Sequence, residues 1–358
     1  MVGNKKNLTR LIAVGLLLAS GIAGAEGPVF VMSDQCIACH SNMKDGEGNV
    51  LDIGHAWRAS MMALSAKDPY WMAGVRREIA DRPHMQAFIE DTCSVCHMPM
   101  FRTTAVAAGG SGEIIRYLDG GFTAEEMEIA EDGVSCTVCH QISAENLGEH
   151  SSFDGGYIIT PSTPETTKIY GPYDVSAGHS RIMNSASAAV PGEGLHMQKS
   201  EVCASCHTLF TPAVDGEGEV IGDFAEQVPY VEWQHSSYAT SHSCQSCHMP
   251  EVDGTAQISS VLGEQRENVS QHVFRGGNAF MLKLLDKYRD ELNVTTPSHE
   301  LQAAAQATLE HLQTRSASVE IVAVDVSGDE ALIEVRISNR AGHKLPTAYP
   351  SRRVWLHV

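Results

Sequence analysis

The chain has 358 residues, enough for two or three domains of ordinary size. Apolar residues make up 43% and charged residues 19%, a globular composition that excludes a disordered chain or a coiled coil. Lys and Arg total 25 against 44 Asp and Glu, a formal charge of -19, so the surface repels phosphate backbones. Nucleic acid is excluded as an expected partner; a basic protein or a cation suits this surface better.

In chain order, the first predicted element is an export signal over residues 1–25. Lys5, Lys6 and Arg10 precede the apolar stretch Leu11 to Ile22, and Ala23-Gly24-Ala25 fits a small-residue cleavage site. The stretch is shorter than the roughly 20 apolar residues of a membrane span. No later segment is long and apolar enough to span, and the first Cys, Cys36, lies too far on to accept a lipid. Expected, therefore, is a soluble chain in the periplasm or at the cell surface, starting at Glu26 with a charge of -22 once three basic residues are removed.

All ten Cys then fall into five copies of one pattern: Cys36-x-x-Cys39-His40, Cys93-x-x-Cys96-His97, Cys136-x-x-Cys139-His140, Cys203-x-x-Cys206-His207 and Cys244-x-x-Cys247-His248. Residue frequencies give about 0.01 such matches by chance. On one helical turn, positions i, i+3 and i+4 share a face. Two thiols can there form thioethers to the vinyl groups of one haem while the imidazole reaches its iron. Zinc sites built from Cys-x-x-Cys pairs need no His after each second Cys, and five pairs leave one over. Disulfides within Cys-x-x-Cys would be small strained loops. The pattern is that of c-type haem attachment. Five covalently bound haem c groups are expected, with His40, His97, His140, His207 and His248 as proximal iron ligands. The motifs lie 57, 43, 67 and 41 residues apart, too close for separate globular domains. The haems must share walls.

Seventeen His less these five leave twelve for the opposite faces of the irons. His55 lies in a helical segment with Trp57. His196 comes seven residues before Cys203. His272 precedes Gly276 and Gly277, which allow close backbone approach to a flat ligand, and the helical run Phe280 to Leu292 follows. His343 sits in a loop leaving a strand, and His179 is a fifth candidate. Met61, Met62, Met98 and Met249 lie near the motifs, but Met more often fills gaps in a core.

Other elements punctuate this haem-bearing part, residues 26–295. Thr123 to Glu131 reads as a helix with the capping box Thr123-x-x-Glu126 and a stop at Gly133. Asp45-Gly-Glu-Gly-Asn49 and Asp215-Gly-Glu-Gly-Glu219 echo each other and read as hairpin turns rather than Ca²⁺ loops. Trp-x-x-Ser before a Cys-x-x-Cys-His-Met-Pro block occurs twice, at 57/93 and 233/244, hinting at duplication. A connecting helix is expected over 296–316. Then Val319 to Val326, Ala331 to Ser338 and Arg353 to Val358 alternate like strands, with a turn at Ser327-Gly-Asp329, as the start of a β-rich module over 317–358. The chain stops within a strand pattern, as a fragment of a longer protein would.

With these residues in view, the sequence resembles the bacterial exported multihaem c-type cytochromes. The matching stretches are Trp57-Arg-Ala-Ser-Met-Met62 with Asp68-Pro-Tyr-Trp71, Cys203 to Pro212, Glu232 to Tyr238 before Cys244 to Pro250, His272 to Met281, and Gly342-His-Lys-Leu-Pro-Thr347 to Trp355. The resemblance implies a mainly α and irregular multihaem cytochrome domain built around stacked haems, with mostly bis-His iron. A β-rich C-terminal module would follow, in one reading immunoglobulin-like and truncated. It also implies that His272 and His343, and less directly His55, His179 and His196, are the distal ligands. One departure is informative. Pentahaem nitrite reductases of this kind carry Cys-x-x-Cys-Lys at one haem, and that motif is absent here, as is an obvious crosslinking Tyr site.

Three functions follow as expectations. The first is an electron carrier that relays electrons between redox proteins: other cytochromes, a terminal reductase or an extracellular acceptor. The second is an oxidoreductase with one open haem acting on a small nitrogen or sulfur compound, with Arg181, His150 and Tyr157 as candidate proton donors. The third is an interaction protein whose β module docks to a surface or a neighbouring subunit, since free strand edges invite pairing and oligomers.

Overall fold

The computed structural model describes residues 30–163 and 165–357; the expected export signal lies outside them. Fourteen short helices and five two-stranded sheets follow one another in the described residues. The first part runs α1 (Ser33–Ile37), the hairpin β1 (Met43–Lys44) and β2 (Val50–Leu51), then α2 (Ile53–Arg58). A helical layer comes next: α3 (Pro69–Asp81), α4 (Gln86–His97), α5 (Pro99–Ala107), α6 (Ile114–Leu118) and α7 (Ala124–Glu131). Asp68 caps α3 by accepting from Tyr70 N, with Pro69 at the first helical position. The expected box at α7 is present. Thr123 Oγ1 accepts from Glu126 N at 3.2 Å and Glu126 accepts from Thr123 N at 2.8 Å.

Beyond α8 (Cys136–His140), strand β3 (Thr167–Gly171) and β4 (Ala189–Glu193) pair in parallel around α9 (Ala177–Ser187). Helix α10 (Ser200–Ala204) leads into the antiparallel hairpin β5 (Leu209–Val214) and β6 (Val220–Gln227), then α11 (Pro229–Gln234) and α12 (Cys244–His248). The pair β7 (Thr255–Gln257) and β8 (Gln265–Glu267) precedes α13 (Ala279–Lys287) and α14 (Ser298–His311). The helix expected from Phe280 stops at Lys287, five residues short. The helix expected at 296–316 is α14 followed by a π turn over Leu312–Ser316. It does more than connect. Its Glu300 pairs with Arg58 of α2, with Arg58 Nε donating at 2.6 Å, and it packs on α13.

Three separate apolar clusters stand in place of one core. Trp71, Val75, Met98, Phe101, Ile114 and Ala130 join α3 to α7; Leu64, Leu282, Leu285 and Leu301 seat α13 and α14; Met100, Val134 and Val138 form the third. Met98 and Met100 are fully buried within these clusters, as gap fillers would be. Buried Lys67 is neutralised by Glu131 at 3.2 Å and donates to Asn293 O at 2.7 Å, fixing α13's loop to α7.

The last pair, β9 (Ala317–Ser327) and β10 (Glu330–Asn339), forms the expected hairpin, with Gly328 at φ +66 in its turn. Its register places Val319, Ile321, Val324 and Val326 opposite Ile337, Val335, Ile333 and Ala331 on one face. That face is apolar throughout and exposed. Residues 353–357, expected as a strand, have no ladder partner among the described residues and are irregular. A strand exists only through its neighbour.

Candidate metal centres

Each Cys-x-x-Cys-His motif makes one helical turn, as the spacing requires. Motifs 2, 3 and 5 end or fill α4, α8 and α12. In motifs 1 and 4 the turn is closed by His40 N to Cys36 O and by His207 N to Cys203 O, both at 2.9 Å. Burial along these turns is inverted from what composition favours. Cys is among the most buried residue types, and Ser, Thr and Gln among the least. Here the intervening Ser94 and Val95, Thr137 and Val138, Ala204 and Ser205, and Gln245 are buried, whereas every motif Cys and His keeps open surface. In motifs 2 to 5 the i, i+3, i+4 face of the turn is thus the more open one. None of the ten Cys forms a disulfide.

The imidazoles are held in one orientation. Nδ1 meets a backbone carbonyl in four of the five: Ile258 O for His40 at 2.6 Å, Ser65 O for His97 at 3.1 Å, Tyr170 O for His140 at 2.6 Å and Arg275 O for His248 at 2.5 Å. A carbonyl can only accept, so Nδ1 carries the proton and Nε2 is left as the lone-pair nitrogen. That arrangement orients a metal-binding His in general. Burial pushes His97 and His207 down to about 4 and lowers His40, His140 and His248, so these rings are neutral at pH 7, the form that binds metal.

Two of the five face a second imidazole. His140 and His272 stand 6.3 Å apart between ring centres with 18° between planes, and His248 and His343 repeat both values. Two imidazoles sharing one metal, with bonds of about 2.0–2.1 Å and each nitrogen roughly 1.2 Å from its ring centre, stand about 6.4 Å apart. His272 Nδ1 meets Ser270 O at 3.1 Å and His343 Nδ1 meets Lys344 O at 2.9 Å, so Nε2 is again the free nitrogen. Burial pushes His272 down to about 3. Spacing alone does not make a site. His150 and Phe210 show the same 6.3 Å and 18°, and there the second ring has no nitrogen.

The remaining candidates stack on no motif imidazole among the described residues. His55 has Nδ1 on Asp52 at 2.5 Å, beside the cap of α2, the same arrangement that orients the motif imidazoles. His179 has both nitrogens engaged, with Ser176 Oγ at 2.9 Å and Leu262 O at 2.8 Å. His196 places Nε2 on Ile142 O at 2.9 Å and its ring edge-on to Tyr170. The proton-donor candidates are likewise engaged or outward-facing. Tyr157 donates to Val95 O at 3.0 Å, His150 lies against Phe153 and Phe210, and Arg181 is exposed on α9.

Comparison with family models, with curated proteins and with solved structures finds no match to this chain.

Donor chemistry decides which metal group these residues fit. Among the described residues no three His, Cys, Asp or Glu side chains gather as a metal cage. A bare ion such as Zn²⁺ needs three or four such ligands. A haem iron takes four ligands from its porphyrin and needs one or two from protein. Single imidazoles beside paired thiols, and paired imidazoles at 6.3 Å, therefore fit haem and not a bare ion. The two Asp-Gly-Glu-Gly loops are turns. Asp45 Oδ1 accepts from Glu47 N and Asn49 N, and Asp215 Oδ1 from Glu217 N and Glu219 N, at 2.8–3.0 Å.

One arrangement escaped the sequence reading. Trp57 Nε1 donates to Val134 O at 3.0 Å, and Trp233 Nε1 donates to His242 O at 2.8 Å. Each carbonyl lies two residues before the first Cys of a motif, Cys136 and Cys244. Trp57 therefore serves motif 3, not the block at Cys93 with which its Trp-x-x-Ser spacing had paired it. The repeat that hydrogen bonding brings out is motif, Asp-Gly-Glu-Gly hairpin, Trp and second motif, over motifs 1 and 3 and again over motifs 4 and 5.

Proposed function

We propose that the chain is an exported pentahaem c-type cytochrome that relays electrons between redox partners. It would be a multihaem domain followed by a β-rich module, working in the periplasm or at the cell surface. The observation that carries this reading is the repeated turn whose two thiols and one neutral imidazole share an uncovered face, with Nδ1 tied to a carbonyl in four cases. Each pair of Cys would hold one haem by thioether bonds, and the following His would bind its iron. When bound, each haem supplies an iron that gains and loses one electron. The chain's own contribution is to fix ring orientation, exclude water and set the spacing between sites. His272 and His343 are the distal ligands best supported, opposite His140 and His248. Among the described residues no helix is long and apolar enough to cross a membrane. Partners are proposed to be other redox proteins, with a basic docking face to match the charge of -19.

A second reading draws on His207. Its ring, ringed by protein yet presenting open surface, stacks against no second imidazole among the described residues. An open haem there would favour an oxidoreductase acting on a small nitrogen or sulfur compound.

Expression with haem-attachment machinery, followed by intact mass and electron paramagnetic resonance of the oxidised protein, tests both. Five haems per chain, with those of motifs 3 and 5 low-spin, are the expected result. A mass without covalent haem would refute the proposal. A high-spin haem that shifts on adding nitrite, hydroxylamine or sulfite would favour the enzyme. In His343→Ala the low-spin signal of motif 5 should turn high-spin, whereas His179→Ala should leave the signals unchanged.

A further inference from the structure

We propose that motif 4, Cys203–His207, is a junction at which three other haem sites meet, so that the relay has three ends, at motifs 1, 2 and 5, instead of two. This rests on the haem-binding reading above and adds the connectivity of the sites.

Motifs 1 and 3 form one pair. Helix α1, which carries Cys36, packs on α8, which carries Cys136, and the two thiols are neighbours. Motifs 4 and 5 repeat the arrangement. Helix α10 packs on α12, Cys244 N donates to Ser200 Oγ at 3.0 Å, and Gln245 Nε2 donates to Lys199 O at 2.7 Å. In both pairs the neighbouring sulfurs are those of the first Cys of each motif, and in both a Trp anchors the approach to the second motif. The two pairs are equivalent units.

Motif 2 has no counterpart in this repeat, and its contacts lead to motif 4. The Cys96 and Cys206 thiols are neighbours. A strap over residues 153–157 ties them together. Gly155 N donates to Ser205 O at 2.7 Å, and Tyr157 donates to Val95 O at 3.0 Å. Gly155 sits at φ +79, and a Cβ there would lie 2.4 Å from the Val95 side chain. The strap is therefore as thin as a backbone can be where motif 2 approaches motif 4. The two units join at the same place, since His196, seven residues before Cys203, sets its Nε2 on the carbonyl of Ile142, two residues after His140, at 2.9 Å.

Motif 4 thus borders motifs 2, 3 and 5, while motif 1 borders motif 3. An electron passing between neighbours oxidises one ferrous iron as it reduces one ferric iron, and protein redox partners at the ends supply and remove it. A centre with three neighbours can merge two inputs or divide one. Such a chain suits two donors feeding one acceptor, or the converse.

The direct test locates the five irons by anomalous scattering in crystals of the haem-loaded full chain. Three nearest neighbours at site 4, two at site 3 and one each at sites 1, 2 and 5 are expected. A linear order of five, or site 2 adjoining any site other than 4, would overturn the junction. A second arm works in solution. Gly155→Val should weaken the magnetic coupling of the motif 2 iron, leaving five haems attached and the other couplings in place; unchanged coupling would also overturn it. If the mass shows no covalent haem, the haem-binding reading itself has failed, a result distinct from five attached haems in the wrong order.

Discussion

Replacing Trp57 by Phe tests whether burial, and not the bond itself, sets the strength of the two Trp anchors. Trp57 is 6% exposed and its Nε1 is the partner of Val134 O in a buried position. Phe cannot donate, so the buried carbonyl loses its partner at a cost of about 1–3 kcal/mol. The smaller ring leaves a void beside it, adding roughly 1 kcal/mol. Trp57→Phe should therefore destabilise by about 2–4 kcal/mol. Trp233 makes the same bond to the carbonyl of exposed His242, which water can satisfy instead. Trp233→Phe should cost about 0.5–1 kcal/mol. The gap of about 2 kcal/mol is roughly a 30-fold change in folding equilibrium. Guanidinium unfolding of haem-loaded variants, followed by both the Soret band and far-ultraviolet dichroism, measures it. Midpoint and slope must be compared together, because bound cofactors break two-state behaviour. Equal losses in the two variants, or a Trp57→Phe loss below about 0.5 kcal/mol, would refute the reasoning.

Two further predictions concern the shell around motif 3 and the acidic side of α7. Gly133 is at φ +61, and a Cβ would lie 2.5 Å from Ala63 O and 2.8 Å from Met62 O, both backbone atoms. Gly133→Ala should cost at least about 2–3 kcal/mol and lower the unfolding midpoint; a loss under about 0.5 kcal/mol would show that the loop yields freely. Hydrogen bonds from Arg116 hold Glu126 down at about 2 from its ordinary 4.5. A lowered carboxyl stabilises the fold above its unfolded value, and the effect is lost as pH falls through the folded one. The stability gap between the wild type and Arg116→Gln should then be full at pH 7, shrink below about 4.5 and close near 2; a gap independent of pH would contradict this assignment.

How far the site is legible in sequence depends on the range of the interaction. The cap of α7 is visible because its donor and acceptor lie three residues apart. The turns at Asp45 and Asp215 are visible because each carboxylate bonds its own backbone two and four residues on. The strand expected over 353–358 depends on a ladder partner that local alternation cannot supply. His179 carries the same residue type as His272, yet Leu262 O engages its Nε2. Leu262 lies 83 residues further along the chain, so local sequence does not reveal that contact.

The sequence alone determined the number and chemistry of the Cys-x-x-Cys-His turns. Two thiols and an imidazole at i, i+3 and i+4 share a face on any single helical turn, whatever the surrounding fold. Only the tertiary structure decided which imidazole stands opposite which, that motif 1 lies beside motif 3 and motif 2 beside motif 4, and that Trp57 belongs to motif 3. Those contacts join residues far apart in the chain. Their partners are chosen by how three small apolar clusters and thin straps such as Gly155 pack, and local spacing carries no trace of that choice.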